Sequence, residues 1–362
     1  MRPILFLLLI TTTYLSLPAV AQQKTTDNAT MKKRYLSAKN QFRTFEREHG
    51  NFIQTNNVNM HYLSWGDPKK PCLIWIHGSM NNGYELLNIA DSLVKAGFYV
   101  IAIDYYGHGQ TAIPEHEVSL YHVADDIRFL LDRLDIEKAF VGGFSRGGYV
   151  ATAFYDTYPE KVEGLILEDG GSVPFSNYYH KLGTEALKQK AAEFDSTEKM
   201  PWDTAYSSEF DAYKALYEPD EKGDQFTILA LLRLDSAKKW SVIYDKMMAL
   251  FNMASSKQFL DLILRPSSVP LFARSIVTMD PETIFRNLNV PLLLLDPVSE
   301  NDPMPFEKEN QALQQKHPRW ISYIVYQNTE HNIHYQHPER FTKDLIRFMK
   351  RTHPSPASQA PQ

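Results

Sequence analysis

The sequence predicts an α/β protein in which a mostly parallel sheet of eight strands is flanked by helices and carries a helical cap inserted after the sixth strand. Three observations predict it. Short apolar runs alternate with helical patterns from residue 72 to residue 167, the arrangement of βαβ units whose strands are covered on both faces. A long segment with no strand alternation, residues 172–288, interrupts that series before two more apolar runs complete it. Between one of the strands and its helix stands Gly143-Phe144-Ser145-Arg146-Gly147, a strand-turn-helix junction built around a serine.

The elements follow in order. Met1-Arg2, an apolar stretch over residues 4–17, and Pro18-Ala19-Val20-Ala21 before Gln22 have the three-part layout of a secretory signal peptide, residues 1–21. Residues 22–50 are polar and read as a linker followed by a surface helix. Residues 51–65 alternate about Thr55-Asn56-Asn57, as two antiparallel strands joined by a tight turn do. Strands are then expected at 72–76, 99–103, 139–141 and 162–167, with helices at 84–96, 120–134 and 147–158 between or after them. Further strands at 290–295 and 320–326 and a helix at 341–350 complete a core of residues 51–171 and 289–351. Within the cap, 172–288, the segments 179–194, 225–234, 237–251 and 256–264 have helical spacing, and the tail 352–362 is Pro/Ser/Ala/Gln-rich and expected to be disordered.

Composition narrows the function classes. The 362 residues carry 38 Lys+Arg against 43 Asp+Glu, a net charge of −5 with no basic block, so nucleic acid is not an expected partner. Apolar residues at 43% and charged residues at 22% exclude a disordered chain. Cys72 is the single cysteine, which excludes intramolecular disulfides and CxxC metal sites. Beyond the leader no segment approaches membrane-spanning length, so the processed protein is expected to be soluble, in a periplasm or outside the cell.

The chemistry is concentrated at three places. A strand that turns sharply into a helix lifts Ser145 out at the helix N-terminus, where backbone N–H groups favour developing negative charge, and the flanking glycines remove Cβ atoms that would clash. A serine hydroxyl needs a base to take its proton and a carboxylate to hold that base. His331, in the loop after the strand at 320–326, is the expected base. His334 and His337 follow at intervals of three, but without HExxH the imidazoles need not converge, and no metal or cofactor is expected. For the acid, the loop after the strand at 290–295 offers Asp302, which stands first because Pro303 and Pro305 favour a fixed turn, then Glu300 and Asp296; Asp169, after the strand at 162–167, is a further option.

The order serine, acid, histidine resembles the α/β-hydrolase superfamily, in its branch with a helical cap. The resemblance covers the core and rests on His77-Gly78-Ser79-Met80, Asp104-Tyr105-Tyr106-Gly107-His108-Gly109-Gln110-Thr111, the serine elbow, and the histidine segment ending in Pro338-Glu339-Arg340-Phe341. It implies an oxyanion hole made by the backbone N–H groups of Arg146 and Ser79, with Met80 as runner-up, and structural roles for His77 and His108. Two departures stand out: Glu330 occupies a position before the base where the family often has glycine, and the acid loop is slightly longer than usual.

The cap is rich in aromatics, among them Tyr179, Phe194, Trp202, Tyr213, Phe251 and Phe259; most are expected in its own core, a few along a pocket for an apolar acyl or aromatic group. Charged substrates are not favoured by that lining, although Arg146 beside the nucleophile could meet a carboxylate. The expected function is therefore an exported serine hydrolase that cleaves a small-molecule carboxylic ester through an acyl-enzyme. The same residues suit a lactone, amide or C–C bond hydrolase, and the fold also occurs as a catalytically silent binding module.

Overall fold

A computed structural model describes residues 27–195, 201–217, 224–242, 244–300 and 305–353. The expected leader and the tail beyond residue 353 lie outside the described residues. Eight strands form one sheet: β1 (Gly50–Gln54), β2 (Asn59–Trp65), β3 (Cys72–Ile76), β4 (Tyr99–Ile103), β5 (Ala139–Phe144), β6 (Val162–Glu168), and, after a two-stranded hairpin of β7 (Arg233–Leu234) and β8 (Trp240–Ser241), β9 (Leu292–Val298) and β10 (Ile321–Gln327). The spatial order is β1-β2-β4-β3-β5-β6-β9-β10. Pairing is antiparallel only where β2 meets β1 and β4; every other neighbour is parallel.

The strands are apolar throughout because both faces are covered. On one face Ile74, Ile76, Val141 and Leu165 pack with Val123 and Ile127 of a helix over Leu120–Arg133 and with Val150 and Phe154 of one over Arg146–Thr157. On the other, Leu73, Trp75, Phe140 and Leu293 pack with Leu93 of a helix over Ala90–Lys95 and with Phe341 and Leu345 of one over Pro338–Thr352. Trp75 has no exposed surface, and truncating such a side chain to alanine costs about 3 to 5 kcal/mol. The registers set Ile76 opposite Gly143, Phe144 opposite Glu168, and Glu168 opposite Leu295. The carboxyl ends of β3, β5, β6 and β9 therefore lie side by side, and their loops gather at one edge.

In chain order the helices are α1 (Asn28–His49), α2 (Ala90–Lys95), α3 (Leu120–Arg133), α4 (Arg146–Thr157), α5 (Asn177–Lys181), α6 (Thr184–Ala192), α7 (Glu209–Leu216), α8 (Asp224–Leu231), α9 (Tyr244–Leu250), α10 (Ser256–Leu264), α11 (Leu271–Thr278), α12 (Pro281–Ile284), α13 (Glu307–Lys316), α14 (Ile333–Gln336) and α15 (Pro338–Thr352). No helix among the described residues is long and apolar enough to cross a membrane.

Four elements differ from the sequence expectation. The segment 179–194 is split into α5 and α6 because Leu182 and Gly183 between them are extended. The segment 84–96 is not one helix: a tight turn over Gly83–Leu86, whose first N–H groups include one from Tyr84 bonded to the Asn82 side chain, precedes the separate helix α2. Glu85 is turned inward onto Trp75 and Asn81, which fixes that turn apart from the helix, a burial that helical spacing does not register. Residues 22–50 are not merely linker and surface helix either. Helix α1, capped by the Asp27 carboxylate, buries Met31, Tyr35 and Ala38 against Tyr213 of α7 and Ile228 of α8, so the N-terminal segment ties the cap to the core. The helix expected at 237–251 starts only at Tyr244, because Asp235 accepts the Lys239 N–H on its carboxylate and its backbone closes the β7–β8 hairpin.

Candidate active site

Ser145 sits between the last residue of β5 and the first of α4 with φ 52° and ψ −120°, a conformation that an L-residue holds only under constraint. Two bonds supply the constraint: its N–H donates to the Glu168 carbonyl at 2.9 Å, and its carbonyl accepts the Gly148 N–H at 2.9 Å. Glycine is required on both sides. A Cβ on Gly143 would stand 2.2 Å from the Gly147 carbonyl oxygen, and one on Gly147 would stand 2.0 Å from that of Ile76.

His331 lies between β10 and α14, where the sequence places it. Its ring packs 4.7 Å from that of Phe144, the residue preceding Ser145. Its Nδ1 is bonded to the carboxylate of Asp169. Among the described residues the carboxylate on His331 Nδ1 is therefore Asp169, the option offered by β6. Asp302 lies outside the described residues, and Glu300 is exposed. Asp296 is buried, with the Tyr323 hydroxyl on its carboxylate, and burial pushes its carboxyl up to about 7. Asp169 follows β6 directly, at φ 44°, with its N–H on the Leu295 carbonyl at 3.0 Å. Burial raises its carboxyl above the ordinary range, and the His331 charge pulls against that rise.

The three imidazoles of this segment diverge. His334 binds Glu168, and His337 meets the Thr329 hydroxyl at 3.0 Å. Among the described residues no group of three or more His, Cys, Asp or Glu side chains is placed to hold a metal ion.

Sequence reasoning missed Glu168, a fully buried carboxylate with three attachments. Its side chain accepts the backbone N–H of His334 at 2.9 Å and the His334 ring Nδ1 at 2.8 Å, while its own carbonyl holds the Ser145 N–H. Desolvation opposes charge on His334, yet Glu168 and then Glu85 outweigh it and raise the imidazole above its ordinary value. One residue thus links the serine elbow to the histidine loop, and its neighbour Asp169 binds His331. The signal in the sequence was an acidic pair, Glu168-Asp169, at the end of an otherwise apolar strand.

Across from Ser145 lies the turn after β3. The Met80 N–H, at φ 66°, is committed to His108 Nε2 at 3.1 Å, which removes it as a donor to a substrate oxygen. Ser79 comes one residue earlier, and its hydroxyl accepts from Arg146 Nε at 2.9 Å. His108 donates Nδ1–H to the Tyr106 carbonyl, and His77 donates to that of Gly78. Burial pushes His77 down to about 4 and His108 well below its ordinary value, so both are neutral supports of these loops. Beside the turn opens a largely apolar pocket lined by Met80 and by Trp202, Leu216, Ile228, Val242 and Met247 of the cap.

These features define a class. A family model described as alpha/beta hydrolase fold matches residues 71–338, and the chain belongs to that family. Among curated relatives it is 32% identical over 121 residues to epoxide hydrolase 1 of Caenorhabditis elegans, covering 32% of this chain and 29% of that protein. It is 32% identical over 138 residues to a 2-hydroxy-6-oxononadienedioate/2-hydroxy-6-oxononatrienedioate hydrolase of Pseudomonas putida, covering 35% of this chain and 47% of that one. The chain thus spans less than half the length of these relatives. The solved esterase from Exiguobacterium antarcticum superposes with a TM-score of 0.57 at 18% identity, over 83% of this chain and 99% of that one, a likeness of fold.

Proposed function

We propose that this protein is an exported serine hydrolase that cleaves a carboxylic ester through an acyl-enzyme, with Ser145 as nucleophile, His331 as base and Asp169 as the acid that orients it. The observation that carries the reading is the bond from His331 Nδ1 to Asp169 beside a strained serine elbow. With Nδ1–H directed at Asp169, Nε2 is the basic atom of the ring. It takes the Ser145 proton as Oγ attacks the ester carbonyl. The resulting oxyanion is received by the backbone N–H groups of Ser79 and Arg146, donors that act on charge present only in the transition state. His331 then returns the proton to the departing alcohol, and a water activated by the same imidazole releases the acid. The apolar pocket lined by Trp202, Ile228 and Met247 suits the alcohol portion.

Hydrolysis of para-nitrophenyl esters across acyl chain length, comparing wild type with Ser145→Ala, tests this reading. A loss of about 1,000-fold or more in kcat/KM is expected. Equal rates in both would refute it, and turnover confined to lactones, amides or C–C substrates would redirect it. Export is tested by N-terminal sequencing of the secreted product, which should begin at Gln22.

A further inference from the structure

Arg146 is only 3 % exposed, and its guanidinium is bound in an unusual way. Among the described residues Nε donates to the Ser79 hydroxyl, Nη2 meets the Met253 thioether at 3.9 Å, and Nη1 has no hydrogen-bond partner. The group lies 3.9 Å over the Phe251 ring, with the buried phenols of Tyr105, Tyr149 and Tyr179 around it and no carboxylate paired to it among the described residues. The Tyr149 hydroxyl is spent on the Val173 carbonyl. A buried cation is stable when an anion meets it, and a sulfur atom and an aromatic face do not replace that anion. Here the cation begins α4 immediately after Ser145 and is bonded to Ser79, the two residues between which the ester carbonyl would lie. The missing anion therefore fits best as part of the substrate.

We propose that Arg146 anchors a carboxylate carried on the acyl half of the substrate, so that the preferred ester is a half-ester of a short dicarboxylic acid. Nη1 and Nη2 form the planar fork that matches two carboxylate oxygens. The buried, apolar surroundings of Phe251 and Met253 strengthen that pair by excluding water. The inference rests on the ester-hydrolase reading above and revises the expectation of an uncharged acyl group.

The test compares para-nitrophenyl hemiglutarate with para-nitrophenyl valerate, two acyl chains of equal length that differ in a terminal charge. Wild type should favour the hemiglutarate by about 10- to 100-fold in kcat/KM, chiefly through KM. Arg146→Gln should abolish that ratio and Arg146→Lys should keep part of it, whatever happens to the absolute rates. No preference in wild type, or an unchanged ratio in Arg146→Gln, overturns the proposal while leaving the esterase reading intact. Should neither ester turn over, the esterase reading fails, and calorimetry decides the anchor alone. Glutarate should bind Ser145→Ala and bind Ser145→Ala/Arg146→Gln at least 10-fold more weakly; no binding to the first, or equal binding to both, overturns the proposal. Circular dichroism melts confirm that each variant is folded, and if Arg146→Gln is not, the Arg146→Lys ratio and the wild-type preference carry the decision.

Discussion

His331 Nδ1 and the Asp169 carboxylate are bonded although 162 positions separate them in the chain. The sheet brings them together. Asp169 leaves the end of β6, His331 follows β10, and only β9 lies between those strands, with the Asp169 N–H fastened to its Leu295 carbonyl. Replacing Asp169 by Asn keeps the size and removes the charge, which lets the imidazole adopt the wrong tautomer. We expect kcat to fall by about 1,000- to 10,000-fold with KM little changed, whereas Glu300→Gln and Asp302→Asn should stay within a few-fold of wild type. Steady-state kinetics on a para-nitrophenyl ester distinguish these outcomes.

Glu168 predicts a second, separable effect. Its carboxylate holds both the backbone and the ring of His334 in a site with no exposure, so Glu168→Gln leaves a buried imidazole without its countercharge. Breaking a buried pair in this way costs about 3 to 5 kcal/mol. The expected result is a melting temperature lower by several degrees and a reduced kcat, since the loop that carries His331 loses its attachment to the strand that carries Asp169. A thermal melt and kinetics on the same sample check both.

The pH dependence of stability should carry the mark of His61. Its ring is fully buried between Asp104, at 2.6 Å from Nδ1, and Glu46 of α1, at 3.2 Å from Nε2. Burial opposes the charge, but the two carboxylates outweigh it and raise the imidazole to about 9. A folded-state value above the unfolded one of about 6.5 means that the stabilisation is fully present below that pH and is lost as pH rises through 9. Melting temperature should therefore decline between pH 6.5 and pH 9, and His61→Gln should flatten that part of the profile at the expense of stability at neutral pH. A decline of the same size in the variant would contradict this assignment.

Much of the architecture was legible in the residues because the strands are buried on both faces and so read as unbroken apolar runs; β3, β4 and the serine elbow fall where those runs place them. The same logic could not choose among acids. Asp169 and Asp302 each stand after a strand in the sequence, and which carboxylate meets the imidazole depends on the tertiary fold; among the described residues Asp169 meets it. Glu85 and Glu168 were invisible for a related reason: a carboxylate in a sequence reads as solvated, and only the fold shows Trp75, Asn81 and His334 gathered round them. Helix α1 looked peripheral because its apolar face is narrow, although Met31 and Tyr35 bury it under the cap.

The central claim is that Ser145 is a nucleophile activated by His331, and covalent labelling with a fluorophosphonate reads it most directly. Intact mass followed by peptide mapping should find one adduct per chain, on the peptide containing Ser145, with no adduct on Ser145→Ala and labelling slowed by about 1,000-fold or more in His331→Ala. A folded wild-type protein that takes up no label, or a Ser145→Ala variant that labels as fast as wild type, would contradict it.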